Sequence, residues 1–426
     1  MNLPAPIAES GDAVPQMPAP QVYCGGNRVR LLQGGDELFP AMQQAMAAAR
    51  AEVWLATYIF HDDEAGSGVA EALRTAARRG IAVHVLADGF GSRGALSRLR
   101  EWFATDGLSF DVFRPLQRWT AWFQPAQLRR LHHKLCVVDD EVAFVGGINI
   151  IDDRNDVTHG RSGQPRLDFA VELRGPVVRQ VRHLVQALGM RVRLGHDWRS
   201  EVGALARSRS PVADTLQLLR ELRSAAPPPA VGMPQPVQVA FVVRDNLGRR
   251  RDIERSYVEA VRGAHSSVDL ACPYFYPRRA FRRSLQSAAQ RGVRVRLLMQ
   301  GKVDYPLAAL AARVLYDELM SHGVRIFEYT PAFLHAKVAV VDDGWATVGS
   351  SNIDPLSLLL NLEANAVVRD AAFAVELRQR LDAAIAVSQE VRAPPLRGGW
   401  RSRFARRFVA WCAQAYLRVA GITSRY

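Results

Sequence analysis

The sequence predicts an α/β protein built as two pseudo-symmetric α/β/α sandwich domains, with the functional residues at the interface between them. Three observations predict it. A polar signature occurs twice, 203 residues apart, at His132 and again at His335. The apolar and turn segments around the two copies recur in the same order. Finally, 426 residues with 48% hydrophobic content suffice for two full cores, and a single internal proline-rich stretch separates them.

In chain order, residues 1–22 are rich in Ala and Pro and lack a basic start followed by an apolar core. They read as a mobile tail rather than a signal peptide. The first domain spans 23–206. Its run AEVWLATYIF (51–60) reads as a strand, and AARRGIAVHVLAD (76–88) as a helix end, an Arg-Gly turn and a strand. The stretch 207–236, with SRSP, the short helical run TLQLLRELR and AAPPPAVGMPQP, is the linker. The second domain, 237–395, repeats the pattern with SSVDLACPYF (266–275) and AAQRGVRVRLLMQ (288–300). Each half thus reads strand, helix, Arg-Gly, strand, helix, strand, then a strand pair carrying the polar signature. Apolar strands between amphipathic helices imply a sheet buried on both faces. Residues 396–426 form a basic amphipathic segment.

The signature is HxKxxxxDxxxxxxGxxN. It is met by His132, Lys134, Asp139, Gly146 and Asn149, and again by His335, Lys337, Asp342, Gly349 and Asn352. One His-x-Lys triplet carries no information, whereas five fixed positions matched twice define a duplicated half-site. On an extended strand His132, Lys134 and Cys136 share one side, so imidazole and ammonium enter one pocket. The Asp turn returns the chain to a small-residue loop, where glycines admit backbone amides to a phosphate and the asparagines add donors. Substitution at phosphorus needs a nucleophile and an acid for the departing oxygen, and two imidazoles supply both. The lysines and asparagines would offset charge on the nonbridging oxygens. Asp139 and Asp342 read as structural, tying down the turn.

These residues resemble the phospholipase D superfamily. Within it, GSSNIDPLSLLLNLEANAVV (349–368), FVGGINIIDDRND and LDFAVELRGPVV are similar to the bacterial cardiolipin synthases, most closely the type B branch that lacks two amino-terminal transmembrane helices. The resemblance covers about residues 28–387 and implies the phospholipase D type of sandwich. It implies a phosphatidyltransferase that makes cardiolipin through a covalent phosphatidyl-histidine, with phospholipid hydrolysis or a nuclease activity as the alternatives. It assigns His132 as nucleophile and His335 as general acid, although the sequence itself permits the reverse. It also implies an acidic residue beyond each motif, hydrogen-bonded to the catalytic histidine: Glu363 in the second half, 28 residues after His335, and Asp168 in the first. Gly147 stands where the second copy has Ser350, so the half-sites are not chemically equal.

Cys24, Cys136, Cys272 and Cys412 form no CxxC pair, which argues against a zinc site and for a reducing compartment. No cofactor or metal is expected. A formal charge of +13 suits an anionic polymer or an anionic membrane surface. From 400 to 421 the chain segregates Trp400, Phe404, Phe408 and Trp411 from Arg403, Arg406 and Arg407. That pattern fits an interfacial helix, or one whose apolar face packs on the protein. Trp119, Trp122 and Phe123, inserted before His132 only, read as a lid over a lipid-entry groove or as core. The pairs Arg278-Arg279 and Arg282-Arg283 read as a headgroup site or a solvated helix face. The expected partners are phospholipids, phosphatidylglycerol foremost, and an anionic membrane surface. The expected location is peripheral, on the cytoplasmic face of a bacterial cell membrane. Nucleic acid is not expected, since no aromatic stacking track accompanies the charge. The oligomeric state stays open.

Overall fold

A computed structural model describes residues 22–104, 107–115, 129–156, 160–205, 237–245, 249–302, 313, 315–354 and 361–392, without the side chains of 194–205. The linker 207–236, the segment 396–426 and the three inserted aromatics Trp119, Trp122 and Phe123 lie outside the described residues.

The first half runs β1 (Arg28–Gln33), α1 (Gly34–Ala47), β2 (Glu52–Thr57), α2 (Glu64–Arg78), β3 (Ala82–Asp88), α3 (Leu96–Trp102), β4 (Leu108–Phe113), β5 (Leu135–Val138) and β6 (Val142–Gly146). A small hairpin follows, β7 (Asn155–Asp156) and β8 (Gly160–Arg161), then β9 (Phe169–Arg174) and α4 (Val178–Leu205). The second half runs β10 (Gln238–Arg244), α5 (Asp252–Arg262), β11 (Ser267–Ala271), α6 (Arg279–Gln290), β12 (Arg294–Gln300), α7 (Tyr316–Met320), β13 (Arg325–Tyr329), β14 (Val338–Val341) and β15 (Trp345–Gly349). It ends with β16 (Glu363–Arg369), α8 (Ala371–Ala386) and β17 (Gln389–Glu390).

Each half has one mixed sheet, ordered β1-β9-β6-β5-β2-β3-β4 and β10-β16-β15-β14-β11-β12-β13-β17. The predicted strand and Arg-Gly repeat forms the parallel trio of each sheet, β2-β3-β4 and β11-β12-β13. The antiparallel side is longer than the repeat foretold, because β1 and β10 come ahead of the repeated segments and close it against β9 and β16. The Arg-Gly turn has a mechanical reason. Gly80 and Gly292 take φ of 85° and 89°, the left-handed conformation that ends a helix. The neighbouring Arg79 donates to the carbonyls of Met46, Ala47 and Ala49 at the end of α1, and Arg291 to those of Val261, Arg262 and Ala264 at the end of α5. Adjacent helices are thereby tied end to end.

Three apolar cores follow from this layering. One lies under α1 and α2 in the first half (Met42, Val69, Leu73, Val83, Cys136). One lies under α5 and α6 in the second (Tyr257, Phe281, Leu285, Val295). The third joins the halves, packing Leu135, Val137, Val145 and Val171 with Val338, Val340, Val348 and Ala364, flanked by α4 and α8. The sheets therefore face one another. Cys24, Cys136 and Cys272 are buried free thiols. Arg278 and Arg282 pair with Glu254 and Glu318 of their own half.

The signature aspartates are built alike. Asp139 and Asp342 sit at φ 52° and 49°, a conformation that a short polar side chain tolerates. The Asp139 carboxylate accepts the main-chain N–H groups of Arg50, Ala51 and Glu52; Asp342 accepts those of His265, Ser266 and Ser267. Each fastens the turn after the signature strand to the start of the antiparallel neighbour of that strand, β2 or β11. Charge-assisted bonds of this kind contribute roughly 1.5–3 kcal/mol. Asp342→Ala is expected to lower the stability of the chain by about 2–3 kcal/mol, with Asp342→Asn falling between it and the parent, as read from the midpoint of urea denaturation.

Candidate active site

The site is assembled where the chain leaves each sheet. Ahead of β5 and β14, residues 131–134 and 334–337 run extended toward the opposite half. Leu131 makes a parallel bridge with Leu362, and Leu334 with Leu167. The main-chain bonds are His132 N–H to Leu362 O (3.0 Å), Leu362 N–H to Arg130 O (2.9 Å), His335 N–H to Leu167 O (2.8 Å) and Leu167 N–H to Phe333 O (2.9 Å). In this register the residue after each leucine lies beside the residue after its partner. His132 thus meets Glu363 of the second half, its Nδ1 2.9 Å from Oε2, and His335 meets Asp168 of the first half, Nδ1 to Oδ2 2.6 Å. The two acids expected from the sequence are at the site, but they are exchanged: each serves the histidine of the other half. The reason is the inter-half bridge, which no within-half offset encodes.

Lys134 donates through Nζ to His132 O at 2.9 Å, and Lys337 does the same to His335 O. Both ammonium groups are thereby held against the extended segment that presents the imidazole. Asn149 is fixed through its Oδ1, which accepts Ile59 N–H at 3.2 Å. Asn352 lies in the equivalent place, its Oδ1 4.0 Å from Cys272 Sγ. All six are buried except His335, whose side chain is 22% exposed. The halves form one electrostatic site, since Lys337 bears on His132 and Lys134 on His335.

Burial sets the proton affinities. It lowers His132, opposed by Glu363, and holds His335 well below the usual imidazole range with help from Lys337. Burial likewise brings Lys134 to about 7 and Lys337 to about 8. The two acids diverge. Burial carries Asp168 up to about 7, against the pull of Lys337. In Glu363 the same burial is outweighed by His132, Lys134 and the Ser350 hydroxyl, so this carboxyl stays below its ordinary value. Glu363 is therefore an ionised acceptor, which fixes the proton of His132 on Nδ1 and the lone pair on Nε2. The Asp168–His335 pair instead holds a proton below about pH 7.

The Gly147/Ser350 difference adds to that divergence, after the larger effect of His132 and Lys134 on Glu363. Ser350 donates to Glu363 Oε2 at 2.6 Å. A Cβ on Gly147 would lie 2.4 Å from Asp168 Oδ1, so glycine makes room for the acid and supplies it no hydroxyl. Gly146 and Gly349 permit close approach of β6 to Ala170 of β9 and of β15 to Asn365 of β16. Two residues escaped the sequence reading. Tyr58 packs its ring on His132 (centroids 4.9 Å apart), with Lys134 Nζ 5.3 Å from its centre; the repeat has Pro273 there, and that mismatch was the available signal. Arg166, two residues before Asp168, lies close enough to depress His335 and Lys337.

The profile of the family described as "Cardiolipin synthase, PLD-like domain" matches residues 42–158 and 257–385. Cardiolipin synthase B of Escherichia coli (strain K12) is 36% identical over 364 residues, covering 85% of this chain and 81% of that protein. Cardiolipin synthase A of Pseudomonas fluorescens (strain SBW25) is 31% identical over 368 residues, 86% of this chain and 70% of that one. The fold is similar to the crystal structure of a phosphatidylserine synthase from Haemophilus influenzae Rd KW20, with a TM-score of 0.68 at 14% identity over 94% of this chain and 97% of that one.

Gly147→Ala should push Asp168 from His335 while leaving the sheets intact. The expected result is a loss of turnover on the order of 10²-fold with little change in melting temperature, whereas Ser350→Gly should fold as the parent and move the acidic limb of the pH profile upward.

Proposed function

Since the chain belongs to the cardiolipin synthase family of the phospholipase D superfamily, we propose that it is a phosphatidyltransferase that makes cardiolipin from phosphatidylglycerol and a second phospholipid. The observation that carries the mechanism is the inequality of the two histidine–acid pairs. His132, neutral and oriented by an ionised Glu363, attacks phosphorus through Nε2. The phosphorus–oxygen bond to the headgroup alcohol breaks, and that oxygen takes the proton held by the Asp168–His335 pair. A phosphatidyl-histidine remains on His132, its positive charge facing Glu363. The hydroxyl of a second lipid then attacks phosphorus, returns a proton to the Asp168–His335 pair and releases His132. Lys134, Lys337, Asn149 and Asn352 surround the place of the nonbridging oxygens and offset their charge. With phosphatidylglycerol in both roles, the products are cardiolipin and glycerol. Water in place of the second lipid gives hydrolysis, so a buried site favours transfer.

The chain would act on an anionic bilayer from the cytoplasmic face, as a peripheral protein. Its +13 charge supports attraction to such a surface. Among the described residues, no helix is long and apolar enough to cross a membrane.

Purified protein given phosphatidylglycerol in mixed vesicles should form cardiolipin and release glycerol, in the presence of a chelator as in its absence. His335→Ala should lower the rate by about 10²–10⁴-fold and His132→Ala by at least as much, the latter with no acid-labile phosphatidyl-enzyme trapped on quenching. Cleavage of single-stranded DNA by His132, without lipid conversion, would overturn the reading.

The pH profile of kcat/KM should fall between about pH 7 and 8, as Lys134 (about 7), the Asp168–His335 pair (about 7) and Lys337 (about 8) lose protons. The acidic limb should lie below the ordinary imidazole value, because burial depresses His132, which stays nucleophilic there. A rate that climbs steadily through pH 8 would exclude protonated lysines as the phosphate ligands.

A further inference from the structure

The last residues of β3 and β12 are Asp88 and Gln300, which occupy the same place in the repeat. Neither belongs to the duplicated signature. Asp88 is fully buried, and its Oδ2 accepts the N–H of Leu131 at 2.9 Å. Gln300 Oε1 accepts the N–H of Leu334 at 2.8 Å. Both leucines immediately precede a site histidine and are themselves buried. In each parallel bridge, the main-chain groups flanking the leucine point to the opposite half and are bonded there. The leucine's own N–H points back and has its acceptor in the side chain from its own sheet. Each histidine segment is therefore gripped from two sides.

We propose that Asp88 and Gln300 are the positioning residues of the two histidines, Asp88 setting the reach of His132 to phosphorus and Gln300 the reach of His335 to the departing oxygen. The reading rests on the nucleophile and acid assignments given above. A buried N–H that loses its acceptor draws its segment toward another, and a displacement of about 1 Å can slow an in-line reaction on the order of 10²-fold. The two grips differ chemically. Asp88 also accepts Phe90 and Gly91 N–H through Oδ1 and lies 3.9 Å from Arg130. It thus anchors the loop after β3 as well as the segment before His132. Gln300 offers a neutral oxygen to Leu334.

The test uses the full chain in vesicles containing either phosphatidylglycerol or phosphatidyl-p-nitrophenol, whose phenolate leaves without a proton. Gln300→Leu should lower turnover of phosphatidylglycerol by on the order of 10²-fold and the first-turnover burst of p-nitrophenol by less than about threefold, because only the step needing the acid is impaired. Gln300→Glu, which restores an acceptor, should return phosphatidylglycerol turnover to within about threefold of the parent. Asp88→Asn keeps the shape but turns one acceptor into a donor, and should lower the burst and the phosphatidylglycerol rate by similar factors, roughly 10-fold to 10²-fold. If Asp88→Asn does not fold, the two Gln300 variants decide alone. Parent-like turnover of phosphatidylglycerol by Gln300→Leu overturns the proposal, as does an equal loss on both substrates with a lowered melting temperature. An inverted pattern, with Asp88→Asn sparing the burst and Gln300→Leu abolishing it, supports the positioning roles while overturning the assignment of His132 as nucleophile.

Discussion

The hydrogen bonds from His132 to Glu363 and from His335 to Asp168 constrain nearly everything else in the molecule. Each joins residues far apart in the chain, and each holds only if the two sheets face one another in one register. The single bridges at Leu131–Leu362 and Leu167–Leu334 set that register, and the shared apolar core keeps it. The glycines of β6 and β15 let the strands carrying the acids approach closely enough. The tie from Asp139 or Asp342 holds the other end of each signature strand.

On a nearly twofold backbone, the chemistry is made unequal by single residues. Ser350 gives Glu363 a hydroxyl donor, whereas Gly147 gives Asp168 only room. Tyr58 against Pro273 gives one histidine an aromatic wall. Under the covering helices the same divergence appears. Trp54 stacks on His84 beside Arg193 in the first half, where the second half has Asp269 ion-paired with Arg296. Duplication supplies the frame, and the departures from it give the two half-sites different surroundings.

Much of this was legible in the chain. Periodicity and the Arg-Gly repeat predicted the strands and helices of the repeated segments, because local apolar pattern and a turn glycine are properties of a few consecutive residues; their parallel pairing came from the structure. The signature located the six polar residues that the structure brings together. Asp139 and Asp342 were legible as turn anchors for the same local reason. The exchange of Glu363 and Asp168 was not, since it depends on which strand edge meets which across the interface. Tyr58 and Arg166 act through space from segments with no motif. The extra edge strands β1 and β10 lie outside the repeat and could be placed only by their pairing with β9 and β16.

The exchanged acids also bear on how the protein comes into being. Proton affinities near neutrality in Lys134 and Asp168 arise from burial between the halves, so neither exists until the halves dock. A first half emerging alone during synthesis would carry an ordinary solvated lysine, an ordinary carboxylate and a histidine without its acid. It would be chemically quiet. Reactivity toward phosphodiesters switches on only when the second half arrives, and the tether between them raises its local concentration enough for that docking to be intramolecular.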